Sequence, residues 1–134
     1  MYFGSEGRAD LFMCFVSRNR VLILSVPGDD PNFATLQRSR EILAQAGIEV
    51  VDFPYMSGFE VDGHYYIAPY MNFYFANGCF LMPQAGLDPE QDAAARATIA
   101  QHFPDREVIA LTMRAGPMQG GAIHCLTQQV PSVG

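Results

Sequence analysis

The stretch Gly120-Gly121-Ala122-Ile123-His124-Cys125-Leu126-Thr127-Gln128-Gln129 joins small backbone to a reactive side chain. Two glycines let a loop bring backbone N–H groups close to a ligand. An apolar run, read as a strand over Ile123–Val130, then returns the chain to a sheet and leaves the Cys125 thiol where loop becomes strand. That is a place for a nucleophile. Free cysteines are also among the most buried residue types, so residue type alone leaves a packing role for Cys125 open. The three cysteines, Cys14, Cys79 and Cys125, cannot all pair within one chain, and no basic start followed by an apolar signal core precedes them. They read as reduced thiols of a cytoplasmic protein. His64, His102 and His124 are scattered, and neither Cys-x-x-Cys nor His-x-x-x-His occurs. No metal site and no cofactor is expected from such spacing.

The elements that must position Cys125 are bounded by composition. With 134 residues, 49% hydrophobic and 16% charged, the sequence fits a single domain over 1–134 with a sizeable core. A net charge of −6 argues against nucleic acid or an anionic membrane surface as partner, because both need a basic face. An acidic field mildly favours cationic ligands and also serves plain solubility. The longest apolar stretch, Leu11 to Val26, is interrupted by Arg18-Asn19-Arg20 and is too short to span a bilayer.

Asp10–Val16 and Val21–Val26 read as a hairpin of largely buried strands around that polar triplet. After Pro27-Gly28-Asp29-Asp30-Pro31, Asn32 caps a helix with Phe33, Leu36, Leu43 and Ala46 facing inward, and Gly47 ends it. Ile48–Phe53 is a strand, and Pro54–Gly63 a connecting loop with Tyr55, Met56 and Phe59 on it. The cycle then repeats. Tyr70–Phe75 and Cys79–Met82 flank Asn77-Gly78, a type I′ hairpin signal. Asp88, Pro89 and Gln91 form a capping-box helix start, Ala95, Ile99 and Phe103 give an apolar stripe, and Glu107–Met113 is the next strand. Met13/Met71, Phe15/Phe73, Asn19/Asn77, Glu49/Glu107 and Val50/Val108 all stand 58 positions apart. Two modules of roughly 10–54 and 68–113 follow, with a terminal nucleophile-loop strand over 120–131.

Three segments carry a family resemblance: Tyr70-Met71-Asn72-Phe73-Tyr74-Phe75-Ala76-Asn77-Gly78 with Pro83-Gln84, then Phe103-Pro104-Asp105-Arg106-Glu107-Val108, then Gly120 to Gln129. Together they closely resemble the C-terminal part of agmatine deiminases, the branch shared with bacterial peptidylarginine deiminases. These are guanidino-group-modifying enzymes of the pentein fold. The resemblance implies an α/β chain, a partial α/β-propeller of about two strand-strand-helix-strand modules where the family has five about a pseudo-fivefold axis. It also implies hydrolysis of a guanidino group to a ureido product and ammonia through a cysteine thiouronium intermediate, chemistry that serves putrescine biosynthesis in agmatine deiminases. On this pattern Cys125 matches the nucleophile, and Asp10 and Gly121 match substrate-binding positions.

The sequence also departs from the family. Where an Asp-Gly-His-x-Asp segment is expected, it reads Ser5-Glu6-Gly7-Arg8-Ala9-Asp10, so Arg8 occupies the catalytic histidine position. An arginine stays protonated at any working pH and cannot shuttle a proton. Gln119 and Ala122 replace small or amide residues in the loop, and the modules that carry further acidic residues are missing. His124, adjacent to Cys125 on an expected strand, should point to the opposite face and reads as a hydrogen-bonded histidine beside the sheet. His64 reads as surface and His102 as a solvated last-turn residue.

Two functions follow as expectations. The first is a truncated agmatine-deiminase-like hydrolase, impaired or inactive alone, whose ligand is a small cationic guanidine and whose site another chain could complete. The second is a non-catalytic oligomeric binding or scaffold protein. Both imply a homo-oligomer, because missing modules leave apolar faces and strand edges open.

Overall fold

The structure is a computed structural model that describes residues 9–118 and 121–130. In it, β1 (Met13–Ser17) and β2 (Arg20–Leu24) form an antiparallel hairpin, and α1 (Phe33–Gln45) crosses over to β3 (Glu49–Phe53), which lies parallel to β2. A small hairpin of β4 (Phe59–Val61) and β5 (His64–Tyr66) follows. The cycle then recurs as β6 (Tyr74–Ala76), antiparallel β7 (Cys79–Gln84), α2 (Pro89–His102) and parallel β8 (Glu107–Thr112). A one-turn helix α3 (Ala115–Met118) and two 3-10 turns, Ala9–Leu11 and His124–Leu126, complete the described elements.

One apolar core runs through both modules. Val21 to Leu24 of β2 are all buried, and Leu22, Ile23 and Leu24 share one cluster with Leu36 of α1 and Phe53 of β3. In the second module Phe73, Phe80 and Phe103 pack with Phe75, with ring centroids 4.2 Å apart for Phe80 and Phe103 and 4.6 Å for Phe75 and Phe80. Such tilted and edge-on arrangements suit the ring quadrupoles. The segment Ala68–Phe73, between the small hairpin and β6, is buried along its whole length although it is irregular.

The helix ends show which local signals act. Asp88 accepts hydrogen bonds from the backbone N–H groups of Glu90 and Gln91, and Pro89 opens α2 as its fixed φ favours. Gln91 does not return the capping-box bond. Its amide instead donates to the Ser57 carbonyl (2.9 Å) and accepts from the Ser57 hydroxyl (2.9 Å), tying α2 to the loop before β4. Asn32 stands at the N-cap of α1 without a side-chain capping bond, because its amide donates to Asp30 (3.0 Å). Gly47 ends α1 at a φ of 73°, as expected, whereas Ala46 is exposed rather than inward.

Turn chemistry differs from expectation at two places. Asn77-Gly78 joins β6 to β7, but among the described residues only Gly78 of the pair takes a positive φ (78°), so a type I′ turn, which needs both, is not formed. The positive-φ pair is Asp62-Gly63 (51° and 74°), inside the region expected to be a loop, and it builds the β4–β5 hairpin. The internal repeat is also not a uniform 58. Arg20 pairs with Glu49 but Cys79 pairs with Glu107, so the second strands correspond at 59 and the third strands at 58, while across the β1 bulge Cys14 and Tyr74, opposite Leu22 and Leu81, correspond at 60. Asn19 and Asn77, identical at 58, therefore take different places in their turns.

Candidate functional site

Cys125 lies within a 3-10 turn, and the strand expected over Ile123–Val130 is not formed. Leu126 N–H bonds to Ile123 (3.1 Å), and Thr127 N–H to His124 (3.3 Å). The Thr127 hydroxyl donates to the carbonyls of Ile123 (2.9 Å) and His124 (3.2 Å), giving them the partners a neighbouring strand would have supplied. This local bonding competes with sheet pairing and wins.

Asn72 anchors the turn. Its backbone is itself held in a turn on Pro69 (2.9 Å), and its side chain is fully buried. The side-chain carbonyl accepts from Ala122 N–H (2.9 Å) and Cys125 N–H (3.4 Å), the amide donates to the Asp10 backbone carbonyl (3.2 Å) and Cys125 Sγ (3.3 Å), and the Asn72 backbone carbonyl accepts from His124 N–H (3.1 Å). One side chain thus joins three segments. Sequence reading named Asn72 only as part of a matching motif, because nothing in its neighbours marks it as buried.

Asp10 reaches the same place from the first 3-10 turn, which Leu11 and Phe12 fix by burying their side chains. Its Oδ2 accepts from Cys125 Sγ at 3.2 Å and from His124 Nδ1 at 2.9 Å. Partial burial raises the Asp10 carboxyl, but the bonds from Cys125, His124 and Asn72 and the His124 charge outweigh it, so its pKa falls below the ordinary aspartate value. The other oxygen, Oδ1, is buried with no hydrogen-bond partner among the described residues. An unsatisfied buried acceptor costs about 1–3 kcal/mol, so a donor reaching this oxygen would be stabilised by a comparable amount.

His124 is therefore not on the far face from Cys125. In a 3-10 turn successive side chains are about a third of a turn apart rather than opposed, and both converge on one carboxylate oxygen. His64 is exposed beside the β4–β5 turn, and His102 ends α2, where burial and then the Arg20 charge lower its pKa. Arg8, with Gln119 and Gly120, lies outside the described residues.

Gly121 sits directly under the thiol. A Cβ built there would lie 3.0 Å from both Cβ and Sγ of Cys125, closer than side chains ordinarily approach. Gly121→Ala should push Sγ off Asp10 and free it for reagent, so that alkylation of Cys125 by iodoacetamide speeds up about tenfold with the fold kept, as followed by mass spectrometry and circular dichroism; an unchanged rate would refute the contact's role. Cys14 is the contrasting thiol. Burial, and then the negative charge of Asp10, pushes it up to about 12, which keeps it protonated.

A predominantly apolar cavity of about 390 Å³ opens between the modules, and Asp10 and His124 form the polar part of its wall. It lies between the hairpin of the first module and the irregular segment leading into β6 of the second.

The chain resembles known deiminases along nearly its whole length. It is 30% identical to an agmatine deiminase from Pseudomonas putida over 96% of this chain and 41% of that protein. Solved structures share the fold. The C. jejuni agmatine deiminase superposes with a TM-score of 0.75 at 20% identity, covering 90% of this chain and 38% of that one. The agmatine deiminase of Enterococcus faecalis gives 0.75 at 24% identity, covering 93% and 39%. The fold is thus the partial pentein arrangement, and the chain spans about two-fifths of the length of these relatives. The family model described as Porphyromonas-type peptidyl-arginine deiminase matches residues 4–131, and the chain belongs to that family.

Proposed function

We propose that the Asp10–Cys125–His124 cluster is the nucleophile side of a guanidine-hydrolysing site. The observation that supports it most is the Asp10 carboxylate, which holds the thiol at 3.2 Å through Oδ2 while Oδ1 has no donor among the described residues. A guanidinium presents several N–H donors in a plane and suits a carboxylate with free acceptor capacity. Bound there, its carbon lies beside Sγ.

In the first step the Cys125 thiolate forms a C–S bond to that carbon, one nitrogen takes a proton, and ammonia leaves with its C–N electron pair. In the second, water adds to the thiouronium carbon, gives up its protons, and the C–S bond breaks to return the thiol and release the ureido product. His124, fixed by Asp10 through Nδ1, is the proton carrier in this reading. It takes the role that the family pattern gives to the position of Arg8. Without the family's other acidic residues, turnover by this chain alone is slow. Large apolar side chains such as Phe15, Ile42 and Leu126 are exposed, which supports self-association or pairing with a further chain. Three free thiols fit a reducing compartment such as the cytoplasm.

The test is a colorimetric assay for ureido product from agmatine and simple guanidines with the intact chain. Turnover, slow but abolished by Cys125→Ser, supports the proposal. Absence of product, or product unaffected by that substitution, sinks it and leaves a non-catalytic binding role.

A further inference from the structure

The cavity beside Asp10 has a chemistry of its own. Its wall is built from Met13 and Phe15 of β1, Leu43 of α1, Met71 and Phe73 before β6, and Phe75 within it. Among its described lining residues Asp10 and His124 supply the ionisable polar contacts apart from the Cys14 thiol, and no Lys or Arg is present. Its volume of about 390 Å³ falls in the range of small-molecule sites, which are mostly apolar with a few convergent polar groups. Phe15 is half exposed although it lies on an apolar wall, so part of that wall is open to a ligand.

From this arrangement we infer that the cavity holds an uncharged, apolar arm of a guanidine whose head is bound at Asp10. The inference rests on the guanidinium reading of Asp10 and Cys125 and narrows its substrate class. A carboxylate-bearing guanidine such as arginine meets no cation among the described lining residues. An ammonium-tailed guanidine such as agmatine meets no second acid there, and must place a charge against Met and Phe side chains, which is costly without a partner. An alkyl or benzyl substituent instead exchanges water for these side chains, at a gain of about three- to fourfold in affinity per buried methylene. Met71 and Met13 can adapt to arms of different shape, so the cavity selects for polarity more than for a single outline.

Titration calorimetry on the full chain tests this with methyl-, propyl- and pentylguanidine, agmatine, and neutral pentylurea. Pentylguanidine differs from agmatine in carrying a methyl where agmatine has its ammonium. The expected result is a rise in affinity of about three- to fourfold per added methylene, with pentylguanidine binding at least about tenfold more tightly than agmatine. Phe15→Ser, at a half-exposed position, should reduce the gain from the pentyl arm while leaving methylguanidine unaffected. A flat series, or agmatine binding more tightly than pentylguanidine, overturns the apolar-arm inference while guanidinium binding at Asp10 stands. Pentylurea binding as tightly as pentylguanidine overturns the guanidinium reading and this inference with it, as does the absence of binding by every guanidine.

Discussion

Replacing Asn72 by Ala is expected to destabilise the protein by about 3–5 kcal/mol and to release the Cys125 turn. The side chain is fully buried, and in its absence Ala122 N–H, the Asp10 backbone carbonyl and Cys125 N–H all lose partners in a space that water enters poorly. Each unsatisfied buried group costs about 1–3 kcal/mol, and shared relaxation makes the total less than the sum. A urea titration should show the lower midpoint, and Cys125 should be alkylated faster as its thiol leaves Asn72 and Asp10. A loss below about 1 kcal/mol would mean that the turn is held by Thr127 alone. Asn72→Ser, which keeps one hydroxyl of bonding capacity, supplies a milder variant if the alanine form does not fold.

Asp10→Asn should weaken guanidine binding by roughly 10- to 150-fold, the range set by about 1.5–3 kcal/mol for a hydrogen bond to a charged group. The shape of the side chain is kept, so the packing of Leu11 and Phe12 around it need not change. The same variant should alter acid sensitivity. The Asp10 pKa is depressed in the folded state, so its stabilising contribution is present above the ordinary aspartate value and is lost as pH falls through the lowered one. Unmodified protein should therefore lose stability more steeply than Asp10→Asn on acidification below about pH 4, where unfolded-state aspartates begin to protonate. Parallel stability curves with unchanged guanidine affinity would show that the carboxylate is only a turn-start residue.

How far the site could be read in advance differs residue by residue. Cys125 stood out because the Gly-rich loop before it is a local pattern, whereas Asp10 was marked only by the family resemblance; the structure brings the two within 3.2 Å. The two hairpin-helix-strand modules were legible for a similar reason, since Asp88-Pro89, Gly47 and the alternation of apolar runs act over a few residues. The β4–β5 hairpin was missed although Asp62-Gly63 carries a comparable turn signal, because its strands are only three residues each. Asn77-Gly78 joined the strands as expected, but the backbone of Asn77 did not follow the dipeptide's usual preference.

The amino-acid sequence by itself determined the order of the two hairpin-helix-strand modules and the placing of Cys125 behind a small-residue loop, because each depends on contacts between near neighbours. Tertiary structure decided what surrounds the thiol. Thr127 turned an expected strand into a 3-10 turn, which brought His124 to the same side as Cys125. Asn72, 53 positions away, and Asp10, 115 positions away, then closed around them. Those bonds form only because a shared apolar core brings Phe12, Met71 and Phe73 together, and packing across such separations leaves no periodic trace along the chain.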